Sequence, residues 1–133
     1  MHKPKILLVE DDPNLGFVLQ DNLTVRGYEI CLRQDGESGM QAFKAETFDL
    51  CILDVMLPKI DGFTIGKSIR ETNKQIPILF LTGKSMTEDK LEGFKLGGDD
   101  YITKAFNIDE LAARIEVFLR RPLKDHNVIE KIF

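Results

Sequence analysis

The chain has 133 residues, 43% apolar and 30% charged, a balance that suits one globular domain and excludes a disordered, fibrous or multi-domain reading of these residues. Its 22 acidic and 18 basic residues leave a net charge of −4, which excludes a domain that grips nucleic acid through its own positive surface. No apolar run approaches the ~20 residues of a membrane span. The opening Met1-His2-Lys3-Pro4-Lys5 enters a strand-like run without a signal-peptide pattern, so the cytoplasm is the expected compartment.

In chain order, the first short apolar run is Lys5–Val9, a strand. Asp12-Pro13 then supplies a cap and an N1 proline for a helix with Leu15, Val18, Leu19 and Leu23 on its apolar face and Gly27 at its end. Tyr28–Arg33 alternates polar with apolar, as a half-exposed edge strand does. A second helix is expected from Glu37 to Glu46, a third strand at Leu50–Leu53, and a third helix from Asp61 to Thr72 with Ile65 and Ile69 one turn apart. Ile76–Leu81 reads as the fourth strand. Ser85-Met86-Thr87-Glu88 has capping-box spacing before a fourth helix that carries Leu91 and Phe94 inward. Tyr101–Thr103 is the fifth strand, and Asn107 with Glu110 opens a fifth helix with an inner face of Leu111, Ile115, Phe118 and Leu119. After Arg120-Arg121-Pro122 the periodicity stops, so residues 1–121 form the domain and 122–133 a linker or tail. Unbroken alternation of strand and helix predicts an α/β protein, a (βα)5 doubly wound parallel sheet with right-handed crossovers.

In such a sheet, ligands bind beyond the carboxyl ends of the strands, and the reactive side chains fall there. The first strand ends in Glu10-Asp11-Asp12, the third in Asp54, the fourth in Thr82 and the fifth in Lys104. Asp12, just before Pro13, is accounted for as a helix cap. Glu10, Asp11 and Asp54 would repel one another if the first and third strands are neighbours, unless a cation or altered protonation relieves them. Mg²⁺ suits such a set, because it takes one or two carboxylates and keeps waters. Asp54 leaves a wholly apolar strand and could accept a phosphoryl group as an acyl phosphate, with the Thr82 hydroxyl and Lys104 ammonium on the transferred oxygens. His2 and His126 have no ligand-like spacing, and Cys31 and Cys51 sit in apolar runs as small hydrophobes.

Four motifs, Val9-Glu10-Asp11-Asp12, the run from Leu53-Asp54 through Pro58 to Asp61-Gly62, Leu81-Thr82-Gly83, and the run from Gly97 through Asp99-Asp100-Tyr101 to Lys104, resemble those of the receiver domain of two-component response regulators. The resemblance covers residues 4–121. It implies a CheY-like, flavodoxin-like fold with strand order 2-1-3-4-5, which sets Cys31 and Cys51 too far apart for a disulfide. It makes Asp54 the phospho-acceptor, with metal ligands Asp11, Asp54, the Met56 carbonyl and, mainly through water, Glu10. Thr82 and Lys104 would bind the phosphoryl oxygens, and Thr82 and Tyr101 would form the switch. The implied partners are a sensor histidine kinase and a second copy of the chain. Lys90, Asp99, Asp100, Glu110, Arg114 and Arg121 resemble the charged set with which OmpR/PhoB-type transcriptional regulators dimerise through helix 4, strand 5 and helix 5. Those regulators reach DNA through a C-terminal winged-helix domain absent from these residues.

A haloacid-dehalogenase-type phosphatase shares the aspartyl nucleophile, but wants a second Asp where Met56 stands. A flavodoxin-like cofactor binder wants a Gly/Ser/Thr loop where Glu10-Asp11-Asp12 would repel a phosphate. A receiver that has lost phosphorylation and acts only as a binding module stays open, because Ala105 replaces the proline that normally follows the family's lysine. A trans Lys104-Ala105 bond or a mobile loop is expected there, with Lys104 displaced from its usual place and its coupling to Thr82, Tyr101 and the dimer face weakened.

Overall fold

A computed structural model describes residues 3–83, 99–104 and 107–120, and among these the five predicted strands and four of the five predicted helices are present. The first apolar run is β1 (Lys5–Val9). The Asp12 carboxylate then accepts from the Asn14 amide at 3.0 Å and starts α1 (Pro13–Val25), with Pro13 in the first turn where its missing N–H is not needed. Gly27, at φ 105°, turns the chain into β2 (Glu29–Arg33) in a conformation a side chain would strain. Asp35 caps α2 (Gly36–Ala45) through the Ser38 amide at 2.7 Å. β3 (Leu50–Asp54) follows, and Asp61 caps α3 (Gly62–Thr72) through the Thr64 amide at 2.8 Å. β4 (Ile78–Thr82) starts later than Ile76; Pro77 has no amide to donate, although its carbonyl accepts from Cys51. β5 (Asp100–Thr103) and α4 (Ile108–Arg120), the fifth predicted helix, complete the described elements; Asn107 caps α4 through the Glu110 amide at 2.7 Å.

The sheet order is β2-β1-β3-β4-β5, and every pairing is parallel. Leu7 is paired with Cys31 on one side and Cys51 on the other, so the thiols stand two strands apart, and both are free. Leu7, Val9, Leu53 and Phe80 face α2 and α3 with Ala42, Phe63, Ile65 and Ile69. Ile6, Leu8, Ile52 and Leu81 face the other way, onto Leu19, Leu23, Leu111 and Ile115 of α1 and α4. Each such side chain contributes roughly 1.5–3 kcal/mol on burial, so both layers of helices hold the sheet and fix the heads of its strands.

One predicted core residue is misplaced. Val18 is 53% exposed, because α1 turns Gly16, Leu19 and Leu23 to the sheet instead. A Cβ at Gly16 would stand 3.2 Å from Leu32, so the glycine lets the helix lie close to β2. The fourth predicted helix, with Ser85, Glu88, Lys90, Leu91 and Phe94, lies outside the described residues. So do His2, Ala105 with its peptide bond, Arg121, His126 and the segment 122–133. Among the described residues, no helix is long and apolar enough to cross a membrane.

Candidate functional site

The head of β1 places Glu10 beside Asp54, the last residue of β3, and both side chains are fully buried. Glu10 donates its amide to the Arg33 carbonyl at 2.9 Å, while its Oε2 accepts from the Asp12 amide at 3.0 Å. Asp54 Oδ1 accepts from the Met56 amide at 2.9 Å, at the start of the loop that leads to α3. That loop returns tightly. A Cβ at Gly62 would stand 2.1 Å from the Asp54 carbonyl oxygen, so only glycine lets α3 begin here.

Thr82, buried at the head of β4, accepts from the Lys104 amide at 2.7 Å through its carbonyl, which fixes the base of the lysine. From there the ammonium donates to Asp54 Oδ2 at 2.8 Å and to Glu10 Oε2 at 3.2 Å, so Lys104 is not displaced as Ala105 led one to expect: the β4 bond and the two carboxylates hold it at the site. One carboxylate oxygen from each of Glu10, Asp11 and Asp54 lies within 4.8 Å of the others. Three strands therefore deliver three acids and one base to one point.

Burial pushes Glu10 up to about 7, and the adjacent Asp54 adds to it, against the Asp12 amide and the Lys104 charge. Asp11 is raised for the same two reasons, burial and Asp54. Burial also opposes the charge on Lys104, but its bonds to Asp54 and Glu10 outweigh this and hold its pKa above the ordinary value. One ammonium thus offsets only part of the acidic charge. Among the described residues, Glu10 Oε1 is buried without a hydrogen-bond partner. Three convergent carboxylates around an unpartnered buried oxygen fit a hard divalent cation such as Mg²⁺.

Around this point, Met56 is 71% exposed at the rim. Tyr101 is buried in β5, its ring stacked on Phe80 at 5.5 Å and edge-on to Phe63 at 6.5 Å. The charged set on β5 and α4 divides. Arg114 bridges Asp100 at 2.5 Å and Glu110 at 3.2 Å, whereas Asp99 pairs with Arg70 of α3 at 3.0 Å. Sequence reasoning missed Arg70, which lies among polar residues of α3 and 29 positions from its partner, with no local pattern joining them.

The sequence matches the family of the response regulator receiver domain over residues 6–116. The chain belongs to that family. As a receiver domain it is similar to the transcriptional regulatory protein RprY of Bacteroides fragilis, 55% identical over 90% of this chain and 50% of that protein. It is similar to the alkaline phosphatase synthesis transcriptional regulatory protein PhoP of Bacillus subtilis, 44% identical over 88% of this chain and 49% of that protein. Among solved structures, DrrB, described as a Thermotoga maritima OmpR/PhoB homolog, superposes with a TM-score of 0.84 at 36% identity, over 90% of this receiver domain and 54% of that chain. The chain spans about half the length of the curated relatives it matches.

Proposed function

We propose that this receiver domain is a phosphorylation switch in which Asp54 is the acceptor. The observation that carries the reading is the Lys104 ammonium bridging the buried carboxylates of Asp54 and Glu10, with Thr82 at the next strand head. A carboxylate oxygen of Asp54 attacks the phosphorus of a phosphohistidine on a sensor kinase. The P–N bond breaks, its electron pair stays on the imidazole, and an acyl phosphate forms on Asp54. Lys104 and the Thr82 hydroxyl bind the phosphoryl oxygens, a charge-assisted pair of donors aimed at developing negative charge. Glu10, Asp11, Asp54 and the Met56 carbonyl would hold Mg²⁺, which offsets the acidic charge that would otherwise repel the incoming phosphate. The one further chemical act of the domain is loss of that phosphate to water.

Phosphorylation adds roughly −1.5 to −2 charge, which draws Thr82 and Lys104 toward Asp54 and biases the packing of Tyr101 and the β5–α4 surface. Dimerisation through that surface and the segment containing Lys90 is the output. Residues 1–121 act as the receiver and 122–133 as the link to a DNA-binding domain, a reading supported by relatives of about twice this length that are named transcriptional regulators. The setting is the cytoplasm, where a kinase can reach it.

The test is intact mass after incubation with Mg²⁺ and acetyl phosphate. One added phosphoryl group on the wild type and none on Asp54→Asn is expected. An unchanged wild-type mass, or equal labelling of the variant, overturns the proposal.

A further inference from the structure

We infer that Asp99 and Arg70 are positioning residues for Lys104, and that Asp99 serves inside the domain as the pin that sets the register of β5. This rests on the reading of Lys104 as a phosphoryl-binding group.

β5 has four residues and, among the described strands, lies at the edge of the sheet, paired with β4. The short ladder leaves its register to side-chain anchors. At its lower end, Asp99 and Ile78 exchange two hydrogen bonds. The Asp99 amide donates to the Ile78 carbonyl at 2.9 Å, and the Ile78 amide donates to Asp99 Oδ2 at 2.8 Å. That same oxygen accepts from Arg70 Nη2 at 3.0 Å, and Arg70 Nη1 reaches the Asn73 carbonyl at 3.3 Å. The Asn73 side chain in turn accepts from the amides of Gln75 and Ile76. The end of α3, the start of β4 and the start of β5 are therefore one hydrogen-bonded unit, with the Asp99 carboxylate at its centre.

At the upper end of the same strand, Lys104 reaches Asp54 at 2.8 Å. Strand residues advance about 3.3 Å each, so a two-residue slip carries the ammonium about 7 Å away, and a one-residue slip turns it to the other face. The carboxylate bond to the Ile78 amide forms in this register and not in the slipped ones. Asp100 and Glu110 pair with Arg114 of α4, whereas Asp99 pairs with Arg70 of α3, so Asp99 ties β5 to a different helix from its neighbour.

The experiment separates two affinities on the full chain by calorimetry: Mg²⁺ alone, which the acids of β1 and β3 bind, and beryllofluoride at saturating Mg²⁺, which also needs Lys104. Asp99→Ala is expected to keep or raise Mg²⁺ affinity, because the ammonium no longer competes for the acids, and to lose about tenfold or more in beryllofluoride affinity, a 1.4 kcal/mol effect. Asp99→Asn, which keeps an acceptor for Ile78, should lose less; Arg70→Gln should fall between wild type and Asp99→Ala, and Arg70→Lys should recover part of that loss. A core variant destabilised to the same degree, Ile69→Val, should leave the ratio of the two affinities at the wild-type value. An unchanged ratio in Asp99→Ala, or a ratio that moves equally in Ile69→Val, overturns the inference. If the wild type itself takes up no beryllofluoride, the phosphorylation reading fails first, and that result is distinct from a wild type and Asp99→Ala that bind equally.

Discussion

Replacing Glu10 by glutamine removes one charge from a cluster of three acids, of which Glu10 and Asp54 are buried and Asp11 is exposed, and should stabilise the metal-free protein. Oxygens of these acids lie within 4.8 Å of one another. Two like charges at that distance repel by about 3.5 kcal/mol at an effective dielectric near 20. Burial adds its own cost: with the Glu10 carboxyl pushed up from 4.5 to about 7, first by burial and then by Asp54, holding it ionised near pH 8 costs about 3 kcal/mol in all. Glutamine keeps a carbonyl oxygen for the Asp12 amide and can turn its NH₂ toward Asp54, but Lys104 loses a charged partner, so the net gain should be about 1–3 kcal/mol. The sign fixes the pH dependence. The folded state binds the Glu10 proton more tightly than the unfolded chain, so this residue lowers wild-type stability as pH rises from about 4.5 to about 7. The advantage of Glu10→Gln should therefore be full above that window and fade below it. Saturating Mg²⁺ should stabilise the wild type more than the variant, because ligand that binds only the fold adds to its stability. Urea denaturation near pH 8 and near pH 5, with and without Mg²⁺, reads all of this. A variant no more stable than wild type near pH 8 without metal, or an advantage that does not change with pH, refutes the electrostatic account.

Lys59 holds φ 69°, a left-handed conformation that disfavours a Cβ by roughly 1–2 kcal/mol, so Lys59→Gly should leave stability equal or raise it by up to about 1 kcal/mol in thermal melts, against the usual glycine penalty. Met56 stands exposed at the rim with no group to orient a water, so Met56→Asn should shorten the lifetime of phospho-Asp54 by about fivefold, the worth of one net hydrogen bond, as read by loss of the added mass over time. Reversing the charges at Lys90 and Glu110 singly should abolish beryllofluoride-driven dimerisation in sedimentation, and reversing both should restore it; indifference to all three removes the dimer surface.

The sheet and the site were legible for one reason. Strands buried on both faces must be apolar throughout, so a polar residue at the end of such a run, as with Glu10, Asp54, Thr82 and Lys104, marks the strand head and the rim beyond it. What was not legible depends on contacts between distant segments. Val18 fits the helical period of Leu15 and Leu19, and its exposure follows from Gly16 closing against Leu32, a tertiary contact. Asp99 reads as one more surface acid beside Asp100; its binding to Arg70 and the Ile78 amide appears only once α3, β4 and β5 are assembled. Glu10 as a sequence letter is an ionised acid, and its midpoint near 7 comes from burial beside Asp54.

The central claim is that the phosphoryl group lands on Asp54 and on no neighbouring acid. Borohydride reduction of the phosphorylated protein converts an acyl phosphate of aspartate to homoserine, which peptide mass spectrometry locates. Homoserine at position 54, with Glu10, Asp11 and Asp12 unmodified, is the predicted result; modification at one of those three acids with position 54 intact, or none at any, contradicts it.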